Sequence, residues 1–83
     1  MHVLVLYDIS NDRIRTKVAV ACEDYGLDRI QYSAFYGTLS RTHREELLLK
    51  IRNLLGGKAG RVQIVPVSAQ DWEQRLEVNN DAG

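Results

Sequence analysis

Val3-Leu4-Val5-Leu6-Tyr7-Asp8, followed by Ile9-Ser10-Asn11-Asp12, decides how the rest of the chain is read. Apolar and aromatic residues run without a break and end on a carboxylate. A short apolar run of this kind reads as a strand buried on both faces, once length and flanks argue against a helix. The β-branched Val3 and Val5 and the Ser-Asn-Asp stop favour the strand. Asp8 is then the first polar group past a buried strand. It stands at the C-terminal end, where ligands bind in sheet-and-helix folds. The competing role is a carboxylate that caps the following turn.

Outward from this strand, Asn11 or Asp12 can cap a helix. Ile14, Val18, Ala21, Cys22 and Tyr25 form its apolar stripe, and Gly26 supplies the left-handed stop. Arg13, Arg15 and Lys17 crowd its start. Basic groups there oppose the helix dipole, a cost that a nearby anionic ligand would offset. Residues 28–39 read as extended, as two short strands or one bent strand with a turn near Gln31 to Ser33. Gly37 suggests a bulge or a close backbone approach. Thr42-His43-Arg44-Glu45 has the form of a capping box. Leu47, Leu48, Ile51, Leu54 and Leu55 follow as a second apolar stripe, which Gly56-Gly57 ends. His43 reads as a solvated surface residue, since no second ligand-type residue stands at helical spacing.

Arg61 to Val67 alternates as a strand, and Pro66 places its end at an edge. Gln74 to Val78 reads as a last short strand. A helix starting at Ser68 competes with it, because Trp72 and Leu76 are four apart. The expected organisation is one domain over residues 1–78 with a frayed tail over 79–83.

The chain has 83 residues, 11 basic and 11 acidic, and one cysteine. A domain this small buries only roughly 60% of its unfolded surface, so oligomerisation is a common remedy. Cys22 cannot form an internal disulfide, and packing on the first helix suits it. No secretory pattern opens the chain, and no apolar stretch is long enough to span a membrane. These features lead to the expectation of a soluble, cytoplasmic protein without a membrane partner. The charges are unevenly placed: the body is basic, and the charged residues after Pro66 are mostly acidic. Arg13, Arg15, Lys17, Arg29, Arg41 and Arg44 suit phosphates, so nucleic acid is permitted as a partner.

The element order is strand, helix, strand, strand, helix, strand. That is an α+β, ferredoxin-like plan: an antiparallel sheet with both helices on one face, here with a short extra C-terminal strand. Two helices cover one face only, yet the first strand carries Val3, Val5 and Tyr7 on one side and Leu4 and Leu6 on the other. The uncovered side calls for a partner, and a second copy in a homodimer is the simplest. The last strand is expected to extend the partner's sheet.

Val5 to Ser10, Arg15 to Ala19, Gly26 to Gly37 and Val62 to Val67, in this order and over this length, resemble one family. It is the smaller of the two core adaptation proteins of CRISPR-Cas systems, and the resemblance spans roughly residues 1–78. The resemblance implies a ferredoxin-like homodimer in which Asp8 of both subunits meets at the axis and holds one divalent ion, usually Mg2+. It implies an endonuclease acting on single-stranded RNA or double-stranded DNA. It also implies a DNA-binding scaffold for the CRISPR integrase, whose other component is the larger core adaptation protein. Tyr7 and Asp8 are the implied catalytic positions, and Arg15, Lys17, Arg29 and Phe35 are implicated with them. Arg13 joins Arg15, Lys17, Arg29 and Phe35 as an expected nucleic-acid contact. Lys17 stands where the family often has Arg, which keeps the charge but loses the bidentate fork.

One carboxylate per chain is a poor start for a phosphodiesterase, and a dimer doubles it. Mg2+ commonly takes one or two carboxylates and keeps several waters. No second acidic cluster and no obvious general base accompany Asp8, so slow catalysis is expected. A toxin-like ribonuclease and a non-catalytic regulatory dimer of the same fold are the alternatives.

Overall fold

The computed structural model describes residues 1–80. Positions 81–83, the end of the expected frayed tail, lie outside the described residues. The strand read from the opening stretch is β1, His2–Asp8. It is followed by α1 (Asp12–Asp24), β2 (Asp28–Gln31), β3 (Ala34–Thr38), α2 (Arg41–Leu55), β4 (Arg61–Val67) and a short α3 (Ala69–Glu73). The sheet runs β2-β3-β1-β4, antiparallel throughout, with β1 in the interior.

Alternation along β1 divides the molecule into two faces. Val3, Val5 and Tyr7 are buried, and Val3 and Val5 are wholly inaccessible. They join Phe35 of β3, Val18 and Cys22 of α1, and Leu47 and Ile51 of α2 in one core. Both helices therefore cover this face. Leu6 points the other way and is 37% exposed. The apolar surplus expected on the second side of β1 is present.

Local chemistry sets the helix ends. Asn11 is the N-cap of α1, its side-chain oxygen accepting from the Ile14 amide at 3.0 Å. Gly26, at φ 80°, turns the chain out of the helix. The cap of α2 is Ser40 and not the expected Thr42. Ser40 has extended backbone and its Oγ accepts from the His43 amide at 3.1 Å, whereas Thr42 already lies within the helix. The β2–β3 join is a tight turn at Tyr32-Ser33, with a register shift between Arg29 and Gln31.

The expected extra strand over Gln74–Val78 does not form within the chain. Ser68 caps a short helix α3 over Ala69–Glu73, its Oγ accepting from the Asp71 amide at 3.0 Å, and this helix ends before the stretch read as a strand. Residues 75–80 lie outside helix and strand. A strand needs a neighbour, and the side chains of Leu76 and Val78 find none in a single copy. They are 98% and 96% exposed. Trp72 of α3 stacks on Tyr36 of β3 with centroids 3.7 Å apart and planes 8° apart. Tyr36 pairs with Leu4 in the ladder, so α3 sits on the open face.

Candidate functional site

Asp8 is the last residue of β1 and leaves the sheet on the open face, as Leu6 does. It is exposed. The β1–β4 register sets Asp8 opposite Arg61 and Leu6 opposite Gln63. The β2–β3 turn closes the other side: the Tyr7 amide donates to the Ser33 carbonyl at 3.1 Å. Between these walls lies a cleft of about 510 Å³, lined by Asp8, Arg61, Gln63, Gln31 and Tyr32 among others. One carboxylate, one guanidinium and two amides thus converge at the C-terminal end of β1.

Tyr7, the other expected catalytic position, adjoins Asp8 in β1. Its side chain lies on the helix-covered face, only 6% exposed, with its ring stacked beside Phe35 at 6.3 Å. Its hydroxyl donates to the Tyr32 carbonyl at 3.5 Å. Tyr7 therefore positions the β2–β3 turn from the helix-covered face, while it also contributes to the lining of the cleft. Strand alternation makes this unavoidable, because neighbours in a strand point to opposite faces.

Phe35 requires a correction. It is wholly buried and cannot touch nucleic acid. The Arg29 guanidinium lies over its ring, 5.1 Å from the centroid. Arg29 is exposed, so Phe35 acts as the floor beneath a surface cation.

Arg15 is half-buried and committed. Its Nη1 donates to the Ile9 carbonyl at 2.9 Å and its Nη2 pairs with Asp12. The bond to Asp12 raises the guanidinium's pKa further, so it is charged at all working pH. Through Ile9 it fastens the backbone just past Asp8. Arg15 and Arg29 also line a second, smaller groove of about 230 Å³ between α1 and β2. Arg13 and Lys17 are exposed on α1 but line neither cleft.

Arg61, Gln63 and Tyr32 were not singled out from the sequence as site residues. Alternation along β4 placed Arg61 and Gln63 on one face, but only the register with β1 reveals that it is the face of Asp8.

Asp8 fits a divalent cation in a limited way. Among the described residues no group of three His, Cys, Asp or Glu side chains converges. Asp8 offers one hard oxygen ligand pair in an open cleft, and Mg2+ needs only one or two carboxylates beside its waters.

The model of the family described as CRISPR associated protein Cas2 matches residues 1–75. The chain belongs to the Cas2 family. It is 51% identical over 75 residues to the "CRISPR-associated endoribonuclease Cas2 2" of Chloroflexus aurantiacus, covering 90% of this chain and 88% of that one. It is 42% identical over 83 residues to the "CRISPR-associated endoribonuclease Cas2" of Desulforudis audaxviator, covering 100% and 78%. A Cas1/Cas2 fusion from Thermoproteus tenax is 33% identical over 78 residues, which are 94% of this chain and 30% of the fusion. The crystal structure of Streptococcus pyogenes Cas2 has the same fold, with a TM-score of 0.81 and 24% identity, over 96% of this chain and 100% of that one. No described helix of this Cas2-family chain is long and apolar enough to cross a membrane.

Proposed function

We propose that the chain is a metal-dependent endoribonuclease of CRISPR defence, acting as a homodimer in the cytoplasm. The observation that carries this reading is the exposed Asp8 carboxylate at the end of a buried strand, in one cleft with Arg61. The naming of its relatives as endoribonucleases supports the choice of RNA. Asp8 of each copy would hold a shared Mg2+, which polarises a phosphate and lowers the pKa of a bound water. The remaining work falls to the chain itself. Arg61 neutralises phosphate charge at the cleft wall. Gln63 and Gln31 supply amide donors to phosphate or sugar oxygens. Arg15, through the Ile9 carbonyl, holds the backbone beside Asp8 in place. No described group stands ready as a general base, so turnover is slow.

Homodimerisation is supported by the apolar surface that one copy leaves open: Leu6 and Val65 on the sheet, and Leu76 and Val78 on the tail. The Thermoproteus tenax fusion supports a partnership with Cas1, in which this dimer grips double-stranded DNA as the scaffold of spacer integration.

The test is Asp8→Asn, nearly isosteric but without the charge that a hard cation requires. Labelled RNA and duplex DNA are incubated with wild type and variant, with magnesium and with chelator. Wild type is expected to cleave only with magnesium, and Asp8→Asn not at all, while both bind nucleic acid alike. Undiminished cleavage by Asp8→Asn removes Asp8 from the centre of the reaction.

A further inference from the structure

Tyr32 stands at the tip of the β2–β3 turn and is 70% exposed, an unusual place for an unburied aromatic ring. It lines both clefts described above, with Asp8 and Arg61 on one side and with Arg15 and Arg29 on the other. Tyr32 is the residue that the two clefts share.

The turn is fastened from beneath. The Tyr7 hydroxyl reaches the Tyr32 carbonyl at 3.5 Å, and the Tyr7 amide holds the Ser33 carbonyl at 3.1 Å. The ring is steadied as well: the Arg15 guanidinium lies over it, 5.4 Å from the centroid. Arg15 is itself pinned by Ile9 and Asp12. With this much exposure the ring cannot be covered on both sides. One face looks toward a fixed cation and the other is open to solvent. An aromatic face near an exposed cation, held by a rigid backbone, is an arrangement that binds single-stranded nucleic acid.

We propose that Tyr32 is a base-stacking platform that selects single-stranded nucleic acid for the Asp8 cleft, receiving one unpaired base on its open face while Arg29 holds the adjoining phosphate. This rests on the nuclease reading and adds to it a residue that would discriminate between substrates. A duplex offers no free base face at this point, because its bases are stacked on one another. The ring is not a phosphate ligand, so its part of the affinity is insensitive to salt, unlike that of Arg29.

The experiment measures binding of the full chain, in chelator, to a fluorescent single-stranded RNA and to a DNA duplex. Wild type is compared with Tyr32→Ala, Tyr32→Phe and Arg29→Gln, each confirmed folded by circular dichroism. Tyr32→Ala is expected to weaken RNA binding on the order of tenfold, with the slope of log affinity against log salt unchanged. Tyr32→Phe keeps wild-type affinity, since stacking needs the ring and not the hydroxyl. Arg29→Gln lowers the salt slope by about one. Duplex binding stays within about twofold of wild type for both Tyr32 variants, well short of the loss expected when a stacked base is removed. Unchanged RNA binding by Tyr32→Ala overturns the proposal, as does an equal loss on RNA and duplex, or a Tyr32→Phe as weak as Tyr32→Ala. Because no cleavage is read, these results are separate from the Asp8→Asn test. Tyr32-dependent binding with Asp8-independent cleavage rejects the nuclease centre and keeps the platform, and the reverse pattern does the opposite.

Discussion

Asp8 and Arg61 are direct partners across the β1–β4 ladder, and both side chains leave the sheet on its open face. Among the described residues neither makes an ion pair. A carboxylate and a guanidinium held side by side, yet not bonded to each other, are both available to a ligand. Arg61→Ala is therefore expected to weaken RNA binding several-fold and to reduce the salt slope by about one. Arg61→Lys restores the slope but not the full affinity, because the planar fork is lost. Binding isotherms at several salt concentrations check both outcomes. A slope unchanged in Arg61→Ala removes Arg61 from the phosphate path.

The tail offers a second test. Leu76 and Val78 are almost fully exposed in one copy, and burial of each such side chain is worth about 1.5–3 kcal/mol. Replacing both with Asp is expected to abolish the proposed dimer at micromolar concentration, as read by light scattering. The monomer keeps its melting cooperativity, since neither residue belongs to the core. A dimer that persists unchanged shows that the tail lies outside the interface.

Gly37 of β3 faces a tight neighbour. A Cβ there would lie 2.7 Å from Leu27 Cδ2 and 3.3 Å from Leu27 Cα. The side-chain tip can move, but the backbone cannot move cheaply. Gly37→Ala is expected to cost about 1–3 kcal/mol, read as a lowered melting temperature. A melting temperature equal to wild type indicates that β3 and the α1–β2 loop separate freely.

Burial raises the Cys22 thiol from its ordinary value of 9.0 to about 12, against a smaller lowering by Arg29. The folded state thus keeps its proton where the unfolded thiol has lost it. This contribution to stability is fully present below pH 9 and is lost as pH rises toward 12. Cys22→Ala, although less stable at neutral pH through its cavity, is expected to lose stability less steeply over that window. Denaturant titrations at pH 7 and pH 10 compare the slopes. Alkylation of native Cys22 at pH 8 is expected to be slow and to become rapid on unfolding.

Much of the fold was legible along the chain because the deciding signals are local. β1, the stripes of α1 and α2, the glycine stop at Gly26 and the edge strand ending near Pro66 follow from periodicity and turn chemistry. The close approach at Gly37 was legible too, since a glycine inside a strand has few other reasons. The cap of α2 was misread because Ser40 and Thr42 carry the same chemistry two residues apart. Only the backbone conformation at Ser40 selects between them. The tail reads as a strand that pairs with a second copy, and a single copy supplies no neighbour on which Arg75 to Val78 could form a ladder.

The sequence by itself determined the α+β order, the resemblance to its family and the position of Asp8 at the end of a buried strand. All of these reside in residues adjacent along the chain. Only the tertiary structure decided which side chains share a space. It put Tyr7 and Phe35 inside the core, because alternation and helix packing leave them no other face. It brought Arg61 beside Asp8 through antiparallel register, and it set Tyr32 between the two clefts through the β2–β3 turn. A register is fixed by the burial of whole strand faces at once. No single residue encodes it, and so the site becomes visible only when the sheet has formed.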